Sequence, residues 1–342
     1  MFNKRHRCKM TKQSTTGYVP TKTADLSKLP KIKGYDFNGK FNFEEFLKSY
    51  STTGIQASKL GSAIEIIKAM RREKATIFLA YTSNMVSCGL REAICYLVKN
   101  NLVNVLITPA GGIEEDFMKT FDKFALGDFN VNAKQMNENG INRTGNIFVT
   151  NDFFAFYEIE MHKILDICYE KQKKLNRPLC TSEIIYEMGK YLDDNKMDKR
   201  EESIIYWAYK NNIPVFSPAF SDGSTGDMIY FHRQMKKDFY VDISQDMDKI
   251  VKITLNAEKT GVIALGGGSS KHYTLNAQIF RDGCEFAVYV NTHPDFDASD
   301  SGAETSEAVT WTKIKPEAPQ VKVVGDASIL FPLIVAGAFK LG

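Results

Sequence analysis

From about residue 52 onward, apolar positions along the chain fall into two alternating rhythms. Leu60, Ala63, Ile64, Ile67 and Met70 recur at the three- and four-residue spacing of one helix face, and the unbroken apolar run at 77–81 follows at once. Further runs of strand length stand at 103–107, 213–216, 262–265, 286–290 and 321–324. Helical spacing falls between most of them, as in Leu90-Ala93-Ile94-Leu97 and Met247-Ile250-Val251-Ile253. A strand that is apolar at successive positions is buried on both faces, as a parallel strand covered by crossover helices is. The pattern predicts an α/β fold: an open, doubly wound, mostly parallel Rossmann-like sheet with helices on both faces.

Two stretches break the alternation. Residues 1–51 are rich in Lys, Thr, Pro and Gly and carry an apolar patch of Phe37, Phe41, Phe43 and Phe46, which reads as an N-terminal arm, partly disordered, that packs on something else. The polar middle, 152–200, has two helical stretches around Asn176-Arg177-Pro178 and reads as a helical insertion within one catalytic domain spanning 52–342.

Charge and cysteine usage narrow the class. Lys and Arg outnumber Asp and Glu by 44 to 41, and Lys4, Arg5, Arg7, Lys9 and Lys12 account for that surplus, so no basic stripe for nucleic acid is expected. The six cysteines form no C-x-x-C pair, which points to reduced thiols and a cytoplasmic setting. No apolar run reaches the length of a membrane span, and the start MFNKRHRCKM lacks the apolar segment of a secretory signal.

In an open parallel sheet, ligands bind beyond the carboxyl ends of the strands. The apolar runs are followed there by Thr82-Ser83-Asn84, by Thr108-Pro109-Ala110-Gly111-Gly112, by SPAFSDGSTGD, by Gly266-Gly267-Gly268-Ser269-Ser270, by Asn291-Thr292 and by Gly325-Asp326-Ala327-Ser328. Any one of these could be an ordinary strand-to-helix turn with a good N-cap. Small and hydroxyl residues at nearly every strand end instead suit a dinucleotide, whose pyrophosphate needs close backbone approach and helix starts. The site is nonstandard, since Gly266 to Lys271 lacks the last glycine of G-x-G-x-x-G. Gly34 to Lys40 matches G-x-x-x-x-G-K, but Phe41 replaces the Ser or Thr and no strand precedes it, so it is not read as a phosphate loop.

Asp295, Asp297, Asp300, Glu304 and Glu307 fall close together, with Trp311 and Lys313 after them. The run lacks the glycine and terminal glutamate of a calcium loop and no histidine sits at ligand spacing, so no metal is expected. A solvated acidic loop is one reading. The other is a site for an organic polycation, with carboxylates for its ammonium groups and an indole face for one of them. A lysine beside such a site has the ligand's charges as neighbours, which favours the neutral, nucleophilic amine and imine formation.

With TSNMVSCG, TPAGGIEEDF, NGINRTGN, FSPAFSDGSTGDMI, GGGSSKH, FDASDSGAETSEAVTWTKI and GDASILFPL in order, the sequence resembles the deoxyhypusine synthase family over nearly its whole length. The resemblance implies NAD-dependent transfer of the 4-aminobutyl group of spermidine to one lysine of translation initiation factor five-A, by way of an imine on an enzyme lysine. It assigns Lys313 as that lysine and His272 as the general base. Polyamine contacts fall on Asn151, Asp227, Asp300, Ser301, Glu307 and Trp311. NAD contacts fall on Ser83, Ser87, Ala110, Gly111, Glu115, Asp222, Gly266, Gly267, Thr292, Asp297, Asp326 and Ala327. It further implies a homotetramer with active sites at subunit interfaces and an N-terminal arm that caps a neighbour's entrance. Three positions depart from the family pattern: Pro109 stands in place of Thr, His293 in place of a small residue and Thr312 in place of glycine.

Three other readings stay open at this point. Homospermidine synthase carries similar motifs and delivers the same fragment to putrescine. A noncatalytic subunit of a mixed tetramer would be expected to have lost some of Lys313, His272, Asp300, Glu307 and Trp311, all of which are present. A sirtuin-like deacylase also binds NAD, but such enzymes usually carry the paired C-x-x-C zinc ligands that are missing here.

Overall fold

The computed structural model describes residues 24–341. The basic stretch at 4–12 and the first part of the expected arm lie outside the described residues. Two helices open the described chain: α1 (Phe43–Thr53), capped by the Asn42 side chain, and α2 (Ile55–Arg72), whose Leu60, Ala63, Ile64, Ile67 and Met70 are all buried. The boundary expected at residue 51 falls inside α1. Thr53 Oγ1 donates back to the carbonyl of Ser49, and the helix ends only at Gly54 with φ +94°. The aromatic patch packs largely on itself, with Tyr35 edge-on to Phe37, Phe41 and Phe46, and it leaves Phe37 and Phe41 mostly exposed.

The main body is a six-stranded parallel sheet. Its strands are β1 (Thr76–Tyr81), β2 (Val105–Ile107), β6 (Val215–Phe216), β7 (Thr260–Leu265), β8 (Phe286–Asn291) and β9 (Gln320–Val324), in the spatial order β6-β2-β1-β7-β8-β9. This is the doubly wound arrangement, and the strand order reverses between β1 and β7, where a crevice opens at the carboxyl ends. Ile77, Leu79 and Tyr81 of β1 enter one core while Phe78 and Ala80 enter another on the opposite face. Burial on both sides explains the continuous apolar runs.

The crossovers supply the covering helices: α3 (Asn84–Ser87) and α4 (Leu90–Lys99) after β1, α5 (Ala110–Met118) after β2, and α10 (Ser224–Met235) and α11 (Ser244–Asn256) after β6. They continue with α12 (Gly268–Gln278) after β7, α13 (Thr305–Thr310) after β8 and α14 (Ala327–Val335) after β9. The long passage from α5 to β6 holds the two helices of the polar middle, α7 (Asn151–Leu175) and α8 (Thr181–Asp194), and after them α9 (Ile204–Lys210). It also holds an element the apolar pattern did not announce, a small antiparallel sheet of β3 (Ala125–Leu126), β4 (Ile141–Thr144) and β5 (Ile147–Thr150), with the short α6 (Ala133–Glu138) between β3 and β4. These strands are short and mostly exposed, so no apolar run marked them. Among the described residues, no helix is long and apolar enough to cross a membrane.

Candidate active site

Lys313 leaves α13 through a helix-ending turn. Lys313 N donates to Ala308 O at 2.9 Å and Thr312 N donates to Val309 O at 3.0 Å, the paired bonds of a Schellman cap. Such a cap places its penultimate residue in the left-handed region, and Thr312 has φ +59°. The conformation is therefore the one glycine favours, held here by a β-branched residue under strain. Lys313 O then accepts from Cys284 N at 3.1 Å, which pins the loop to the entry of β8.

The side chain of Lys313 is buried, 8% exposed, and its Nζ lies 3.5 Å from His272 Nε2 and 5.9 Å from the centre of the Trp311 ring. His272 stands on α12, and its Nδ1 meets the side-chain nitrogen Nδ2 of Asn276 at 3.0 Å. Lys313, His272, Asp300, Glu307 and Trp311 line one cleft of about 520 Å³, together with Lys271, Asn276, Tyr289 and Glu304. Two buried polar atoms of this lining have no partner: Asp300 Oδ2 and the Tyr289 hydroxyl. Burial drives the Tyr289 phenol well above its ordinary pKa, so it stays neutral. An anionic wall with an unpartnered carboxylate oxygen and an exposed indole suits an organic polycation.

The acidic loop is held by lysines. Lys271, 2% exposed, donates to the carbonyls of Asp300 and Ala303, with its Nζ 4.5 Å from the Tyr289 ring centre; burial lowers its pKa. Lys322, 1% exposed, donates to Gly302 O and lies 3.8 Å from Glu304 Oε1. Asp297 accepts from Ser299 N at 2.8 Å, a backbone bond that lowers its pKa.

Ser301 joins this loop to a second cavity, accepting from Gly268 N at 3.1 Å. That cavity, of about 320 Å³, lies at the carboxyl ends of β1, β7, β8 and β9 and is lined by Thr82, Gly266, Gly267, Gly268, Asn291, Thr292, His293, Ser301, Asp326 and Ala327. Gly266 and Gly268 have φ +82° and +63°, and a Cβ on Gly267 would strike Ser301 Oγ at 2.3 Å, so the loop approaches its neighbours as closely as glycine permits. Helices α12 and α14 both begin here, and Asn291 Nδ2 is buried without a partner. Two helix starts and a free donor fit a ligand with anionic groups.

Other expected residues form a neighbouring group. Ser83 lies against Gly111, and Ser87 Oγ donates to Glu115, whose pKa is pushed up to about 7 by burial. Ala110 and Gly111 open α5 directly after Pro109, whose extended backbone accommodates the ring in place of Thr. Within one chain, Asn151 and Asp227 do not line the Lys313 cleft. Asn151 starts α7 and accepts from Asn142, and Asp227 lies in the first turn of α10. Asp222 and Asp297, likewise, are not in the lining of the glycine cavity.

Sequence reasoning did not single out Asn276, Tyr289, Lys271, Lys322 or Glu114. Asn276 and His272 are four apart on a helix, and Lys322 interrupts the run Val321-Lys322-Val323, so two of these carried a readable signal. Glu114 did not: its carboxylate caps α10 by accepting from Thr225 N at 2.9 Å and Ser224 N at 3.3 Å, a contact made only in three dimensions.

A doubly wound sheet with a glycine loop at its carboxyl ends, beside a lysine buried in an anionic cleft, defines the class as an α/β enzyme. The family model described as Deoxyhypusine synthase matches residues 45–338. A relative from Thermococcus gammatolerans named "Probable deoxyhypusine synthase" is 46% identical over 301 residues, covering 86% of this chain and 90% of its own. One of the same name from Dictyostelium discoideum is 42% identical over 335 residues, covering 92% and 88%. A crystal structure from Entamoeba histolytica that carries the same enzyme's name is 34% identical with a TM-score of 0.65, covering 91% of this chain and 97% of its own. The chain belongs to the deoxyhypusine synthase family, a family of aminobutyl transferases.

Proposed function

We propose that the chain transfers the 4-aminobutyl group of spermidine, by way of an imine on Lys313, to one lysine of translation initiation factor five-A. The observation that carries this reading is the placement of the Lys313 amine, 3.5 Å from an imidazole nitrogen and in the same cleft as the unpartnered Asp300 oxygen and Trp311. Asp300, Glu307 and Trp311 would hold the polyamine's ammonium groups and exclude water around them. His272 would take the proton that an attacking amine must lose, and Lys313 would carry the four-carbon fragment once 1,3-diaminopropane has left. The acceptor lysine would then displace Lys313 from the fragment.

Gly266, Gly267, Thr292, Asp326 and Ala327 would hold NAD, with Ser83, Ser87, Ala110, Gly111, Glu115, Asp222 and Asp297 beside it. NAD supplies the acceptance of hydride from spermidine and its return to the product. Asn151 and Asp227, which lie away from Lys313 within one chain, would serve the cleft of a paired subunit in a homotetramer. Mixing Lys313→Arg with Asp227→Ala subunits would then restore part of the activity that each has lost. The unpaired cysteines of the described chain fit a reducing, cytoplasmic setting.

The deciding experiment is borohydride trapping with labelled spermidine and NAD, followed by mapping of the modified peptide. Label on Lys313 is expected, and label elsewhere overturns the reading. Offering the factor and putrescine side by side tests the acceptor: label found only on putrescine would assign homospermidine synthesis instead.

A further inference from the structure

The contact between His272 and Asn276 constrains which nitrogen of the imidazole does the work. An ammonium donates three hydrogens and accepts none, so Nε2 of His272, 3.5 Å from Lys313 Nζ, can meet the protonated form of that lysine only as an acceptor. A neutral imidazole with a bare Nε2 carries its hydrogen on Nδ1, which then needs an acceptor of its own. The atom that Nδ1 meets, at 3.0 Å, is the side-chain nitrogen Nδ2 of Asn276, one turn further along α12, where an Nδ1–H would need the amide oxygen. Half a turn of that amide exchanges its oxygen and nitrogen without moving anything else, and with the oxygen toward the ring the contact accepts an Nδ1–H.

We infer that Asn276 is a positioning residue: its amide oxygen accepts Nδ1–H of His272 and thereby keeps Nε2 bare as the base facing the Lys313 amine. An amide suits this part better than a carboxylate, because it orients the ring without holding it as imidazolium. The inference rests on the reading of Lys313 as the imine-forming amine, and it adds how the base beside that amine is kept in the useful tautomer. Lys271, Lys313, Asp300, Glu304 and Glu307 are the charged groups that line the same cleft. They are common to every variant below, so differences between variants report on position 276.

The test is single-turnover trapping of labelled spermidine on Lys313 in the full-length enzyme with NAD, followed as a function of pH. Asn276→Leu is expected to slow imine formation about 10- to 100-fold while the KM for spermidine stays within about 2-fold. Asn276→Asp keeps an acceptor on Nδ1 and retains activity, but it stabilises the imidazolium and moves the acid limb of the profile up by about one pH unit. Ring ¹⁵N shifts of selectively labelled histidine are expected to show His272 with hydrogen on Nδ1. A Leu variant with the wild-type rate and profile overturns the inference, as does a rise in KM alone, which would make Asn276 a substrate ligand. Hydrogen found on Nε2 also overturns it. If the Leu variant does not fold, the Asp variant and the ring shifts decide. Absence of label on Lys313 in the unmodified enzyme would instead defeat the functional reading before any variant is made.

Discussion

Lys271 and Lys313 line the cleft and Lys322 holds its acidic loop, and their surroundings divide these three lysines into two kinds. Lys271 and Lys322 are more deeply buried than Lys313, and each spends its hydrogens on backbone carbonyls of the loop that carries Asp300. Among the described residues, Lys313 Nζ meets no carbonyl or carboxylate; its neighbours are an imidazole and an indole. Burial by itself therefore does not mark a reactive lysine. A lysine saturated by fixed carbonyls is a strut, whereas one whose neighbours leave its lone pair or its hydrogens uncommitted is available to a substrate.

This contrast is open to attack in order of expected effect. Lys313→Arg keeps the charge but removes the primary amine, so transfer should fall by at least about 1,000-fold, with trapped label lost and the melting temperature little changed. A large loss of fold stability in this variant would make Lys313 a strut as well.

Glu115 sharpens the comparison from the acidic side. Its folded-state pKa of about 7 lies above the 4.5 of the free side chain, because burial penalises the carboxylate. The folded chain thus binds a proton that the unfolded chain releases between those values. Stability from this group is complete below about pH 4.5 and is lost as pH rises through about 7. Glu115→Gln should accordingly stabilise the chain by on the order of 2–3 kcal/mol at pH 8 and by little at pH 4.5, as read from thermal unfolding at the two pH values.

Lys322→Met tests the strut itself. It leaves the Gly302 carbonyl without its donor and should cost about 1–2 kcal/mol in denaturant unfolding. Lys313 should still be labelled by trapping, with a higher spermidine KM from a looser acidic loop. The smallest effect is expected at Thr312, where φ +59° suits glycine. Thr312→Gly should relieve backbone strain and, after the added flexibility of the unfolded chain, stabilise by about 0.5–1 kcal/mol. A destabilised glycine variant would mean that the threonine side chain makes a compensating contact.

Much of the frame was legible in the residues. All six strands of the parallel sheet coincide with apolar runs, interrupted in β9 by Lys322, because a strand covered on both faces is apolar at nearly every position. The small and hydroxyl residues that end β1, β7, β8 and β9 do line one cavity, since the carboxyl ends of parallel strands all point one way, whereas those after β2 and β6 lie outside its lining. The small antiparallel sheet was not legible, because its strands are too short and exposed to need an apolar pattern.

The sequence by itself determined the fold class and the family, both of which follow from local periodicity and from long motifs in fixed order. Only the tertiary structure decided which charges face each other. Lys271 is adjacent to His272 in the chain, yet it turns under the acidic loop while His272 faces Lys313, 41 residues away. Asn151 and Asp227 share a list with Asp300 by motif, yet they sit on helices that do not line its cleft. The physical reason is that a side chain's hydrogen-bond partners are set by which backbone groups the fold brings to it, and those groups come from strands and helices distant in the chain.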